Sequence, residues 1–83
     1  MTSIERNPII VGEPNWRPLE MVLTHGDCEN FMYMGRIEEI ELYKHRSTRR
    51  YLNISLDGQR FYRSVGDSYI EVARAEAIEH VFS

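Results

Sequence analysis

Alternating apolar and polar positions run through the second half of the chain. Ile40 and Leu42 alternate with polar neighbours, and so do Leu52, Ile54 and Leu56. A period of two predicts strands that are buried on one face. The dipeptides Asp57-Gly58 and Gly66-Asp67 interrupt the pattern and predict tight hairpin turns.

Each predicted turn defines a strand register. The first places Ile54 opposite Phe61 and Leu52 opposite Arg63, and the second places Arg63 opposite Ile70 and Phe61 opposite Val72. Both registers bring one apolar set to the same face: Leu52, Ile54, Leu56, Phe61, Val65, Ile70 and Val72. Arg63 is the single charged residue on that face, and its side chain is expected to extend to the edge.

The first hairpin is predicted to close on the three-residue loop Arg46-Ser47-Thr48. This loop pairs Leu42 with Leu52 and Tyr43 with Tyr51. The opposite face of the sheet would then carry two cross-strand rows. One consists of Tyr43, Tyr51, Ser64 and Tyr69, and the other of Glu41, Asn53, Tyr62 and Glu71.

Two segments have helical patterns. Residues 16–25 place Pro18 in a first turn and Gly26 as a C-terminal cap, and residues Arg74–Phe82 show an apolar stripe. Residues 29–36 predict a strand that bends at Gly35, with continuation of the first helix as the alternative. The fold class is therefore α+β: an antiparallel β-meander of about four strands, a C-terminal helix packed on one face and a short N-terminal helix.

The first fifteen residues differ from the rest of the chain. Pro8, Gly12 and Pro14 punctuate residues 1–15 and predict an N-terminal arm, with a short strand at Ile9–Val11 as its one element. Residues 16–83 form the single predicted α+β domain. A chain of 83 residues has room for one hydrophobic core.

The composition narrows the class of protein. A single cysteine, Cys28, cannot form an internal disulfide, and no apolar run is long enough for a signal peptide or a membrane span. These features predict a cytoplasmic protein without membrane contact.

The charge is divided unevenly along the chain. The segment Lys44–Arg63 has six cations and one acid, a net charge of +5. Since the whole chain carries −3, the remainder carries −8. Such a split favours association with charged surfaces, although solvated faces with internal pairing would also produce it.

Candidate catalytic chemistry is sparse. The sequence lacks phosphate-binding glycine loops, nucleophile elbows and metalloprotease or calcium-binding signatures. His25 and Cys28 could supply half of a zinc site, but no second cysteine pair accompanies them. We therefore expect a non-enzymatic protein without a cofactor or metal.

The remaining candidate site is a surface rich in tyrosine and arginine together with the basic hairpin tip. Tyrosine and arginine often dominate protein interfaces, so a protein partner is the leading expectation. The same face could bind single-stranded nucleic acid by stacking and phosphate contacts, and a homodimer joined through a strand edge or this face is a third reading. The predicted partner-binding residues are Tyr43, Lys44, Arg46, Arg49, Arg50, Tyr51, Arg60, Tyr62 and Tyr69.

Overall fold

A single antiparallel sheet organises the molecule. The structure, a computed structural model, describes residues 3–5, by their backbone, and residues 9–83. The strands are β1 (Ser3–Glu5), β2 (Phe31–Ile37), β3 (Ile40–His45), β4 (Tyr51–Ser55), β5 (Phe61–Val65) and β6 (Ser68–Val72). Their order across the sheet is β1-β6-β5-β4-β3-β2. The α+β meander is confirmed, with five consecutive strands, β2 to β6, in place of about four, and β1 added beside β6.

Three helices accompany the sheet: α1 (Arg17–Val22), α2 (His25–Cys28) and α3 (Arg74–Phe82). The bounds of α3 are those predicted, and Pro18 lies in the first turn of α1. The predicted end of the first helix at Gly26 is wrong. Leu23 is already extended, and the Thr24 hydroxyl accepts a hydrogen bond from the Asp27 amide and so starts α2 around Gly26.

The strand predicted within residues 29–36 is present as β2, Phe31–Ile37, and the bend lies at the predicted glycine. The β2–β3 register shifts between Tyr33 and Gly35, and Gly35 has a φ of 116°. A β-carbon there would lie 2.6 Å from Cγ2 of Ile9. Glycine therefore permits both the bulge and the close approach of the N-terminal arm.

Of the predicted arm, the structure describes β1 (Ser3–Glu5), a strand that the sequence did not predict, and the residues from Ile9 onward. Ile10 pairs with Arg36 on the outer edge of β2 through two backbone hydrogen bonds of 2.9 and 2.8 Å. The expected strand at Ile9–Val11 is reduced to this one bridge. Pro8, which contributed to the prediction of the arm, lies outside the described residues, and the division at residue 15 remains a prediction.

The two later hairpins have the predicted registers. Ile54 lies opposite Phe61 in the first, and Phe61 opposite Val72 and Arg63 opposite Ile70 in the second. Leu56 and Val65, assigned to the apolar face, are exposed at the strand ends. On the covering helix, Ala77 and Val81 are the buried residues, whereas Phe82 at its end is exposed.

The predicted first hairpin is wrong by one residue. Tyr43 lies opposite Leu52 and Lys44 opposite Tyr51, so the loop holds four residues, 46–49, in place of three. The Arg49 amide donates to the His45 carbonyl, and Arg49 adopts a left-handed φ of 65° to close the turn. The slip moves every β3 side chain to the opposite face of the sheet from the one predicted.

Both faces of the sheet consequently bury apolar side chains. The helix-covered face packs β3 to β5 against α1 and α3, and its cluster is Leu19, Cys28, Phe31, Tyr43, Leu52, Ile54, Phe61, Ala77 and Val81. A smaller cluster on the other face, called the outer face below, is Ile37, Ile40, Leu42, Tyr62 and Tyr69. Residues that a one-sided sheet would expose are thereby part of a second core.

Candidate functional site

The predicted tyrosine surface is not assembled. Tyr43 is fully buried on the helix-covered face, and Tyr62 and Tyr69 are buried in the cluster of the outer face. Tyr51 is the one predicted tyrosine that remains exposed, at 37%. The burial of Tyr43 follows from the four-residue loop, since the slip turns its side chain toward the helices.

Tyr43 instead belongs to a buried aromatic group. Its ring stacks on Trp16 at 5.7 Å, its edge meets Tyr33, and its hydroxyl donates to the Asn15 carbonyl. Burial, followed by the negative charge of Glu41, raises the pKa of the Tyr43 hydroxyl far above its ordinary value. This ring therefore anchors the chain ahead of α1 to the sheet.

Glu41 is the most deeply buried charge among the described residues, with no side-chain exposure. Arg36 donates to both of its oxygens, at 3.1 and 2.8 Å, and Tyr33 and Asn15 each donate at 2.7 Å. Burial alone would raise the pKa of Glu41, but these hydrogen bonds outweigh it and lower the pKa below its ordinary value.

The partners of Glu41 are affected in turn. Burial, together with the hydrogen bond to Glu41, raises the pKa of Tyr33 to about 12. The carboxylate stays charged and the phenol neutral near pH 7, so this network stores no transferable proton there. It functions in holding β2, β3 and the segment before α1 together.

The basic hairpin, defined here as residues 44–51, is built as a rigid element. The His45 ring accepts hydrogen bonds at Nδ1 from the amides of Ser47 and Thr48, both at 3.1 Å. Thr48 Oγ1 donates to the Val81 carbonyl at 2.6 Å, which fixes the hairpin to the C-terminal end of α3. Arg46 and Arg49 are exposed at the tip, and the Lys44 ammonium lies 5.7 Å from the centre of the Tyr51 ring.

Arg60, another predicted partner-binding residue, is not part of this hairpin. It is exposed and lines a separate cleft of about 310 Å³ on the outer face, with Asp57 and Glu71. Lys44, Arg46, Arg49, Arg50 and Tyr51 are thus brought together, whereas Tyr43, Tyr62, Tyr69 and Arg60 are not part of this exposed group.

A larger cleft opens between β4 and β5. The two strands are paired only at Asn53–Tyr62 and Ile54–Phe61, whereas β5 and β6 pair over five positions. Beyond Asn53 the strands diverge and leave a space of about 440 Å³ that is bordered from both faces of the sheet. Its described lining is Ile9, Leu42, Arg50, Tyr51, Asn53, Arg63, Ser64, Tyr69 and His80.

Asn53 supplies an unusual polar group in this cleft. The residue is only 2% exposed, and its Nδ2 donates to the Tyr62 carbonyl at 3.2 Å. Its Oδ1 is buried and has no hydrogen-bond partner among the described residues. Leaving a buried acceptor unpaired costs about 1–3 kcal/mol, so the cleft has a position that favours a donor.

Positive charge collects at the other side of the cleft. Arg50 comes from the start of β4, Arg63 from β5 and His80 from α3. Burial and then the charges of Arg63 and Arg50 lower the pKa of His80, against a smaller opposing effect of Glu76. The described lining includes no carboxylate, and within residues 9–83 neither arginine forms an ion pair with a carboxylate side chain.

Sequence reasoning did not assign Asn53, Arg63 or His80 to a site. The available signal was Arg63, the only charge predicted on an apolar face. No feature of the sequence indicated Asn53, because the lack of a hydrogen-bond partner for its Oδ1 depends on where β4 and β5 separate. His80 came close to the arginines through the packing of α3, which its position on a polar helix face did not indicate.

The candidate zinc pair is not assembled. Cys28 is buried, and burial, followed by the charges of Glu20 and Asp27, raises the pKa of its thiol. His25 has 86% of its side chain exposed. Within residues 9–83 no three side chains of the metal-ligating types converge.

Comparison of the chain with protein-family models, with curated proteins and with solved structures finds no match in any of the three. Among the described helices, none has the length and apolar character to cross a membrane.

Proposed function

We propose that this protein is a non-enzymatic binding domain that contacts an acidic segment of a protein partner through the basic hairpin. The observation that carries the proposal is the rigid mounting of an exposed, cationic and aromatic tip on α3 by the Thr48–Val81 hydrogen bond. A surface that is ordered before binding loses less conformational entropy when its partner arrives.

The composition of the tip supports a protein partner. Arg46 and Arg49 are exposed and Tyr51 partly so, and arginine and tyrosine contribute strongly to interface free energy. Nucleic-acid binding was the alternative. Binding of a single strand by base stacking requires several exposed aromatic rings on one face, and of the predicted tyrosines only Tyr51 is exposed. The basic hairpin therefore favours an acidic peptide over a single strand of nucleic acid whose bases stack on aromatic rings.

The test is affinity capture from nuclease-treated lysate of the source cell, with the wild type, the double variant Arg49→Ala/Tyr51→Ala and a matched control. The control, Arg17→Ala/Met21→Ala, removes one exposed cation and one exposed apolar side chain from α1. We expect a protein captured by wild type and control, and at least tenfold less of it with the double variant.

The capture is followed by binding of the purified partner as salt is raised, where affinity should fall. Circular dichroism of both variants should match the wild type, because the substituted side chains are exposed. Recovery that disappears with nuclease would contradict the proposal and favour a polynucleotide. Equal capture by all three proteins would exclude the hairpin as the contact surface. Sedimentation of the wild type would test the predicted homodimer.

A further inference from the structure

The cleft between β4 and β5 combines three features that a small ligand would need. It has a volume of about 440 Å³, within the range of roughly 300–1,000 Å³ typical of small-ligand sites. It has a cationic side, and it has a buried acceptor without a donor among the described residues. The cleft shares Arg50 and Tyr51 with the basic hairpin, whereas its other described lining residues lie outside the hairpin.

The cationic side calls for an anion. Arg50 and Arg63 carry permanent charges, and no carboxylate among the described lining residues neutralises them. The Arg50 Nε donates to the Ser83 carbonyl at 3.2 Å, which holds the side chain in place and leaves its other donors available. Two guanidinium groups and an imidazole supply the positive charge and the hydrogen-bond donors that a phosphate takes.

The buried acceptor calls for an N–H donor on the same ligand. The Asn53 Nδ2 already donates one hydrogen to the Tyr62 carbonyl, and the atom left without a partner among the described residues is Oδ1. Its Oδ1 is buried next to the point where β4 and β5 separate, so we expect a group that reaches it to be narrow and flat. Leu42, Ile9 and the ring of Tyr51 form apolar walls against which such a group can pack.

A phosphate and a flat group with an amino donor occur together in nucleotides. We propose that the cleft binds a mononucleotide whose base carries an exocyclic amino group. The phosphate contacts Arg50, Arg63 and His80, and the amino group donates to Asn53 Oδ1. The Tyr51 ring lies along the base, since base–aromatic contacts are favourable and tolerate different bases.

The first experiment titrates ¹⁵N-labelled protein with AMP, GMP and CMP, each beside the analogue that lacks the exocyclic amine. We expect at least one of the three to shift the resonances of Asn53, Tyr51 and Arg63. Its deaminated analogue should bind about tenfold more weakly, because Oδ1 stays unpaired. Changing the ligand avoids a substitution of Asn53, whose bond to Tyr62 has a structural role.

A matched pair of variants tests the phosphate contact. Arg63→Gln should weaken binding of the same nucleotide about tenfold, whereas Arg60→Gln should change it less than about twofold. Both variants lose one positive charge, but Arg60 lines the other cleft. Nucleotide binding should also raise the pKa of His80, read from its imidazole resonances, since a phosphate offsets the nearby charges of Arg63 and Arg50.

Three results would overturn the assignment. They are the absence of binding by all three nucleotides at millimolar concentration, equal binding of each nucleotide and its deaminated analogue, and tighter binding of O-phosphotyrosine than of every nucleotide. The last result would indicate a phosphorylated protein side chain as the occupant. The nucleotide titration uses purified protein without a partner, so a negative titration does not contradict the hairpin proposal. In the same way, a failed capture experiment does not contradict nucleotide binding in the cleft.

Discussion

Glu41 and Asn53 are both buried polar residues on adjacent strands, and they differ in how completely their hydrogen bonds are satisfied. Glu41 accepts four hydrogen bonds from Arg36, Tyr33 and Asn15. The Asn53 Oδ1 accepts none from the described residues. Because unpaired buried acceptors are costly, the saturated Glu41 indicates a structural role, and the unsatisfied Asn53 Oδ1 is the atom to which we assign the donor of the proposed ligand.

Glu41→Gln tests the structural role. The lowered pKa of Glu41 means that its contribution to stability is present above the unfolded-state pKa, near 4.5, and is lost as pH falls through the folded-state pKa. We expect the variant to be less stable than the wild type by about 2 kcal/mol at pH 7. Urea unfolding from pH 7 to pH 2 should show this difference shrinking toward low pH. A difference that stays constant would contradict the ionised network.

At the scale of elements, the β3–β4 hairpin determines which side chains are available. A loop of four residues instead of three moves Tyr43 and Glu41 into the main core and Leu42 onto the outer face. The observed loop closes with a left-handed φ at Arg49. Arginine has no preference for that region, so the sequence contained no residue that indicated it.

Arg49→Gly should stabilise the protein, because glycine adopts a left-handed φ without a steric penalty. We expect a gain of about 1 kcal/mol in the free energy of unfolding, measured in urea. Arg46→Gly is the control. It removes the same side chain from the same loop at a position without a positive φ, and it should be neutral or destabilising. Equal effects of the two variants would argue against the four-residue loop.

At the scale of the whole molecule, the N-terminal arm and the sheet are joined at Gly35. Ile9 contacts this position, Ile10 pairs with Arg36, and Ile9 also lines the β4–β5 cleft. The arm therefore contributes Ile9 to the lining of the proposed ligand site. The main cluster and the outer-face cluster are separated by the sheet itself.

Gly35→Ala should displace the N-terminal arm from its contact with β2. The added β-carbon would lie 2.6 Å from Cγ2 of Ile9 and 3.0 Å from the Ile10 carbonyl, at a φ of 116°. We expect a loss of about 2 kcal/mol in unfolding free energy and faster hydrogen exchange at the Ile10 and Arg36 amides. Gly12→Ala, where no described atom lies within 4 Å, should leave both unchanged. Unaltered exchange in Gly35→Ala would mean that the arm is not held there.

Local patterns in the sequence determined much of the fold. The two tight turns at Asp57-Gly58 and Gly66-Asp67 implied the registers of β4, β5 and β6, because a short turn and alternating apolar residues leave one compatible pairing. The same reasoning located α3 and the bend at Gly35. These features depend on neighbours in the chain, so their signals are local.

The sequence located the basic hairpin, but tertiary structure alone decided the burial of the tyrosines and the position of the cleft. The burial of Tyr43 followed from the conformation of Arg49, and the cleft followed from the separation of β4 and β5 beyond Asn53. Arg50, Arg63 and His80 meet there although they lie on three different elements. The sequence could indicate their charges, but their proximity depends on how α3 packs on the sheet, which alternation and turn chemistry do not encode.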